Sequence, residues 1–386
     1  MTPNDDAAFT ETGKDQIRLL KWLLDEACPL WSTHGTDRVR GGFHERLSGT
    51  QALQEPRRAR VQPRQVSSFA QAALLGWKGD APALAAHGLD YFRKYYRRPD
   101  GLYRTLIGPD GASIDERALL YDQAFGLLGL AEAQRVIPST PLADEGRKLR
   151  STVFQLLRRK RGPGFETALP LGEPLCANPH MHLFEVALAW METNDDDEWH
   201  ALADEIAALA LSTFIDPASG VLREHYEGDW KRLPGTPGRI IEPGHHFEWA
   251  WLLLRWEGAS RPDVRRAAFK LIDVAEQHGV RNGVAVNALL DDLSMHDSSA
   301  RLWPQTERLK ASALAARLTG EARYWTMAHA AATAVFRYLE TKVPGSWYDK
   351  LTAAGTLIDE PAPASTFYHL TAAASQLTAS DAKRDI

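Results

Sequence analysis

The segment EPGHHFEWAW, Glu242 to Trp251, packs two histidines, a glutamate and two tryptophans into ten positions. On a helix, His245, Glu248 and Trp249 fall on one face and His246 turns to another. The same spacing rule applied to NPHMHLFE aligns Asn178, His182 and Glu185 and leaves His180 about 200° round from His182. Imidazoles titrate near neutrality, so His182 and His245 are candidates for moving protons in both directions. A proton taken from a carbon beside a sugar carbonyl leaves an enediolate, whose oxygen an arginine and helix-end dipoles can stabilise. Isomerisation or epimerisation follows, depending on where the proton returns.

Other chemistries fit less well. The pattern H-E-x-x-H is absent, and neither H-M-H nor H-H-F-E sets two ligands on one helix face, so no metal is expected. There is no G-x-S-x-G elbow, and neither Cys28 nor Cys176 adjoins a histidine, which argues against a nucleophilic mechanism. Phosphate-loop and dinucleotide fingerprints are also missing, so no cofactor is expected. Of the thirteen histidines, His34, His87, His200, His225, His278, His296 and His329 are assigned to outer helices or polar loops, and His44 to a turn. Asn178, before a proline, and Ser365-Thr366 also suit helix N-caps.

The elements that must position these groups recur. Short glycine-led turns, GGFHERL at Gly41, GLYRTL at Gly101, GFETAL at Gly164, GVLREHY at Gly220, GVAVNAL at Gly283 and GSWYDKL at Gly345, return about every sixty residues. Each precedes a helix poor in charge, such as YDQAFGLLGLAEA. Between these lie helices with one apolar stripe and one charged face, such as VRRAAFKLIDVAEQHG. Twelve alternating outer and inner helices, with short β-hairpin turns between pairs, predict a closed, all-α (α/α)6 barrel, because an open array would need polar caps. The inner helices begin at Arg64, at Tyr121-Asp122-Gln123, at Asn178 to His182, at His245 to Glu248, at Gln305 and Glu307, and at Ser365 to His369. If alternate helices run the same way, all six polar starts converge on one mouth.

Composition restricts the remaining classes. With 44% hydrophobic and 25% charged residues, the 386-residue chain is typical of a folded domain. A formal charge of −5 without a basic stripe gives nucleic acid no footing. The polar N-terminus and the lack of a long apolar run predict a cytoplasmic protein without a membrane span. One domain is expected over residues 1–386, with about fifteen residues at the start and about eight at the end loose. The protein is expected as a monomer or homodimer acting on a monosaccharide.

The segments VQPRQ, YDQAFGLLGLAEA, NPHMHLFEVALAW, EPGHHFEWAWLL, RLWPQTERLKA and PASTFYH, in this order, resemble the N-acylglucosamine 2-epimerase superfamily of (α/α)6 barrels. RLWPQTE and PASTFYH are most similar to its bacterial D-mannose isomerase branch. The resemblance spans about Gly41 to Gln376. It implies that His245 and His369 form the acid–base pair and that Arg64, Asn178, His182 and Glu248 touch substrate. It also implies pocket positions for Trp303, Gln305, Glu307, Tyr121 and Asp122. A family glutamine four residues before the last histidine is Ser365 here. The expected reaction interconverts free mannose and fructose, or lyxose and xylulose, through a cis-enediolate without a metal. The alternatives are a 2-epimerase, an inverting glycoside hydrolase using Glu248 and Glu307, and a sugar-binding scaffold without chemistry.

Overall fold

A computed structural model describes residues 3–137, 140–172, 174–193, 196–257 and 261–379. Six inner helices run from the mouth downward: α3 (Val61–Leu74), α5 (Leu120–Val136), α7 (Ala177–Met191), α9 (Pro243–Glu257), α11 (Leu302–Thr319) and α13 (Ser365–Thr378). The outer ring is α1 (Pro3–Trp22), α4 (Ala81–Tyr96), α6 (Thr140–Leu157), α8 (Asp197–Leu209), α10 (Pro262–Gly279) and α12 (Ala322–Leu339). A π turn, Leu23–Ala27, carries α1 into the short α2 (Cys28–Thr33). Inner helices are buried on nearly every face, which is why their sequences lack a charged stripe. Helix ends follow local chemistry: Asp80 and Asp196 accept backbone N–H groups at the starts of α4 and α8, and Gly320 closes α11 in the left-handed conformation.

Closure is visible in the strands. The segment before each inner helix pairs antiparallel with the segment after the next glycine turn: Arg57 with Ile107, Ala118 with Leu169, Leu175 with Tyr226, Ile240 with Leu290 and Ala300 with Leu351. The sixth pairing, Arg46 with Pro363 and Leu47 with Ala362, joins the last repeat to the first. The turn glycines Gly41, Gly101, Gly164, Gly220, Gly283 and Gly345 all have φ between 75° and 94°. A side chain there would be strained, which explains the motif.

Inner-helix residues hold these turns in place. The Gln62 amide accepts from the backbone N–H of Phe43 and donates to its carbonyl; Gln123 does the same to Tyr103 and Gln305 to Ala285. In α7 and α9, His180 and His246 accept the N–H groups of Phe165 and Leu222 through Nε2.

The N-terminal segment expected to be loose contains the first turns of α1. A helix begins at Pro3, and Phe9 meets Trp325 edge-on at 5.1 Å, while Asp15 pairs with His329 at 2.6 Å. These contacts give the segment an apolar seat on α12. Of the C-terminal tail, residues 380–386 lie outside the described residues.

Candidate active site

Inner-helix starts and the strands above them line a cavity of about 630 Å³ at the mouth. That size lies within the range for small-molecule sites. Arg64, Tyr121, Asn178, His182, His245, Glu248, Trp303, Ser365 and His369 all face it.

Two imidazoles flank Trp303, with ring centroids 5.1 Å (His245) and 5.6 Å (His369) from the indole. Each is held through Nδ1 by a buried carboxylate: His245 by Glu224 at 2.9 Å and His369 by Glu307 at 2.8 Å. Their protonation is driven apart. Burial works against the His245 imidazolium, but the charges of Glu224 and Glu242 and the Glu224 hydrogen bond outweigh it, raising the pKa to about 10. Burial and the positive charges of Arg64 and Lys310 hold His369 well below the ordinary range. At neutral pH one is imidazolium and the other neutral imidazole, the arrangement expected of an acid and a base.

Around them, Arg64 lies 4.0 Å from the Phe125 ring centroid and donates to the Tyr121 hydroxyl at 2.6 Å and the Ser365 carbonyl at 3.4 Å. The Asn178 amide sits 3.2 Å from His245 Nε2. Burial lowers His182 to about 4 despite its Nδ1 bond to Glu185, so its Nε2 is left as an acceptor. Burial and the carboxylates Glu307 and Glu185 raise Glu248 well above the carboxylate range, which favours its protonated form; its buried Oε1 has no hydrogen-bond partner among the described residues.

Several sequence expectations change. Gln305 is fully buried and spent on Ala285, so it lies outside the cavity wall. Asp122 accepts from Thr105 and pairs with Arg60 at 3.0 Å; it holds Arg60, which faces the cavity, and does not face it itself. Glu307 lies behind His369, outside the lining. Trp249 packs into the core against Phe184 instead of sharing the His245 surface. Asn178 and Ser365 are not caps: α7 and α13 begin without a side-chain cap, while Thr366 bonds Asp349 at 2.7 Å. The pair proposed for hydrolysis is also misplaced. Glu248 and Glu307 each bring an oxygen within 4.8 Å of the other, closer than the roughly 6.5–9.5 Å an inverting mechanism uses.

Sequence reasoning missed Glu224, Arg60, Asp349 and Lys310. Glu224 has a detectable signal. Two residues after each turn position gripped by, or corresponding to one gripped by, an inner helix stands a polar residue: Glu45, Thr105, Thr167, Glu224, Asn287 and Asp349. As for a metal, His182, Glu185 and Glu248, or Glu248, Glu307 and His369, bring donor atoms within 4.8 Å of one another. The second group already holds a cation in Lys310, whose Nζ is 2.6 Å from Glu307.

Residues 41–373 match the family model described as N-acylglucosamine 2-epimerase. The chain belongs to that family. It is 46% identical over 372 residues to a mannose-6-phosphate isomerase of Rhizobium meliloti (strain 1021), covering 93% of this chain and 95% of that one. It is 30% identical over 299 residues to a D-mannose isomerase of Thermobifida fusca, covering 70% and 72% of the two chains. A solved D-mannose isomerase superposes with a TM-score of 0.86 at 19% identity, covering 94% of this chain and 98% of that chain. The protein is therefore an isomerase with the family's (α/α)6 barrel. Among the described residues, no helix is long and apolar enough to cross a membrane.

Proposed function

We propose that this family member is an aldose–ketose isomerase that interconverts D-mannose and D-fructose as free sugars. The observation that carries the reading is the placement of His245 and His369 on either side of Trp303, each held through Nδ1 by a buried carboxylate, and their opposite pKa shifts support it. His369, neutral, takes the proton from C2 of the open-chain aldose. The electron pair moves into a C1–C2 double bond, and the carbonyl O1 becomes the enediolate oxygen. His245 donates its proton to O1 and accepts the O2 proton, while His369 returns the carbon-derived proton to C1, giving the ketose. Arg64 and the protonated Glu248 stabilise oxygen charge during the transfer.

The rim favours an uncharged sugar. Arg46, Arg58, Arg301 and Lys350 line the cavity, and each is matched by a carboxylate that also lines it: Glu55, Glu45, Glu242 and Glu360. A phosphate seated on any of these four rim cations would have to displace its carboxylate partner. The name of the Rhizobium meliloti relative supplies the competing reading, a 6-phosphate substrate.

A proton NMR time course with D-mannose and, separately, D-mannose 6-phosphate tests both. Fructose from free mannose with the higher kcat/KM supports the proposal. Turnover confined to the phosphate ester would replace free mannose as substrate. Glucose as the first product would make the enzyme a 2-epimerase.

A further inference from the structure

Lys310 is an unusual residue to find beneath an active site. Its side chain is fully buried in α11, one turn below Glu307. Its ammonium lies 2.6 Å from Glu307 Oε2 and 3.7 Å from the centroid of the Trp251 ring. Glu307 uses its other oxygen, Oε1, to hold His369 Nδ1 at 2.8 Å. The three groups form a chain, Lys310 to Glu307 to His369, that ends at the cavity.

A buried cation unmatched by charge is costly, so the lysine is not there for packing. The titratable groups facing it come from several elements: Glu185 on α7, Glu248 on α9, Glu307 on its own helix, and His369 on α13. Glu185 is already committed, accepting from the Tyr368 hydroxyl and from His182. That leaves Glu307 as the carboxylate Lys310 grips directly. Burial pushes Glu307 toward holding a proton, and the Lys310 charge pulls the other way.

We propose that Lys310 is a positioning residue for His369: by keeping Glu307 an acceptor, it fixes the imidazole proton on Nδ1 and leaves Nε2 as the free base facing the substrate. A neutral imidazole has one N–H, and the hydrogen bond at one nitrogen decides the state of the other. If Glu307 took a proton it would become a donor to Nδ1. The ring proton would then move to Nε2, and the base would have no lone pair to offer C2. This proposal rests on the reading of His369 as the base.

The test is Lys310→Met, with Glu307→Gln and the double variant K310M/E307Q. The first readout is the nitrogen-15 spectrum of His369 in the full-length protein, which reports the tautomer whether or not the enzyme turns over. K310M is expected to shift His369 from the Nδ1–H to the Nε2–H form at pH 7. Its kcat should fall about 10²-fold or more, the scale of a lost general base, with KM changed little. Activity should recover as pH rises and Glu307 ionises, moving the acidic limb of the rate profile to higher pH. A purely structural lysine would not move that limb.

In the double-mutant cycle, adding K310M to E307Q should cost no further activity, because both act through one chain. The double variant also replaces the ion pair by neutral groups of similar size, which keeps the comparison open if K310M alone does not fold. An unchanged His369 tautomer in K310M, or additive losses in the double variant, would overturn the proposal. A tautomer change in a protein whose His369→Ala variant still isomerises sugar would leave Lys310's positioning role intact and refute His369 as the base.

Discussion

Replacing Glu224 by glutamine removes one charge and leaves a hydrogen-bonding group of the same shape beside His245. The carboxylate oxygen lies 2.9 Å from Nδ1, and both side chains are at least nine-tenths buried. At an effective dielectric constant of about 20, that pair is worth about 6 kcal/mol, or about four pKa units. His245 should therefore drop from about 10 to about 6 once only burial and the more distant carboxylates remain. At pH 8 only about 1% of the variant would carry the imidazolium, so kcat should fall about 100-fold, and the loss should shrink to a few-fold at pH 6. The assay is fructose formation from saturating mannose between pH 5.5 and 10, with His245 titrated by NMR in parallel. In the parent enzyme the alkaline limb should lie near pH 10; in the variant it should lie near pH 6. The sign also fixes stability: a raised pKa stabilises the fold fully below pH 6.5 and loses that contribution as pH rises through about 10. An unchanged alkaline limb, or a loss equal at every pH, would refute the reasoning.

Acid should unfold the protein earlier than its carboxylates alone require. His180, His182 and His246 are each lowered from 6.5 to about 4 by burial, so the unfolded chain gains protons first; each costs about 3 kcal/mol of stability between those pH values. Denaturant titrations at pH 7 and pH 5 should show the drop, and a constant midpoint would contradict it. Gln305→Leu strands the N–H and C=O of Ala285 and should cost about 2–4 kcal/mol. Its melting temperature should fall while kcat/KM of the folded enzyme stays within about twofold; a raised KM at unchanged stability would put Gln305 back in the site. Arg64→Lys keeps the charge but loses the planar fork that spans Phe125, Tyr121 and Ser365. Its kcat/KM should fall about 10- to 100-fold in steady-state assays, and parity with the parent would remove Arg64 from enediolate stabilisation.

The barrel was legible because its repeat is written in backbone chemistry: six glycines at positive φ and six charge-poor helices need no tertiary information to recognise. Periodicity also separated His182 from His180 and His245 from His246, since helix geometry sends neighbours to different faces. It could not tell a polar residue facing the cavity from one facing the turn above. Gln305 and Asp122 were assigned to the pocket for that reason, although their amide and carboxylate serve Ala285, Thr105 and Arg60. Glu224 lies 21 residues before His245, and only the fold brings them together. Lys310 gave no sequence signal as a functional group, because its meaning depends on Glu307 one turn away and on carboxylates and an imidazole supplied by other helices.

The strand pairing of Arg46 with Pro363 has a consequence for how the chain can be cut. All six repeats are joined to a neighbour in the same way, so the ring has no privileged starting point. Pro3 and Thr378 begin an outer helix and end an inner one, which places both on the floor opposite the mouth. The connection between Leu75 and Asp80 crosses the same floor. Linking the natural ends and opening the chain there would give a circular permutant whose acid, base and rim are untouched, because every one of them is anchored at the other end of the barrel.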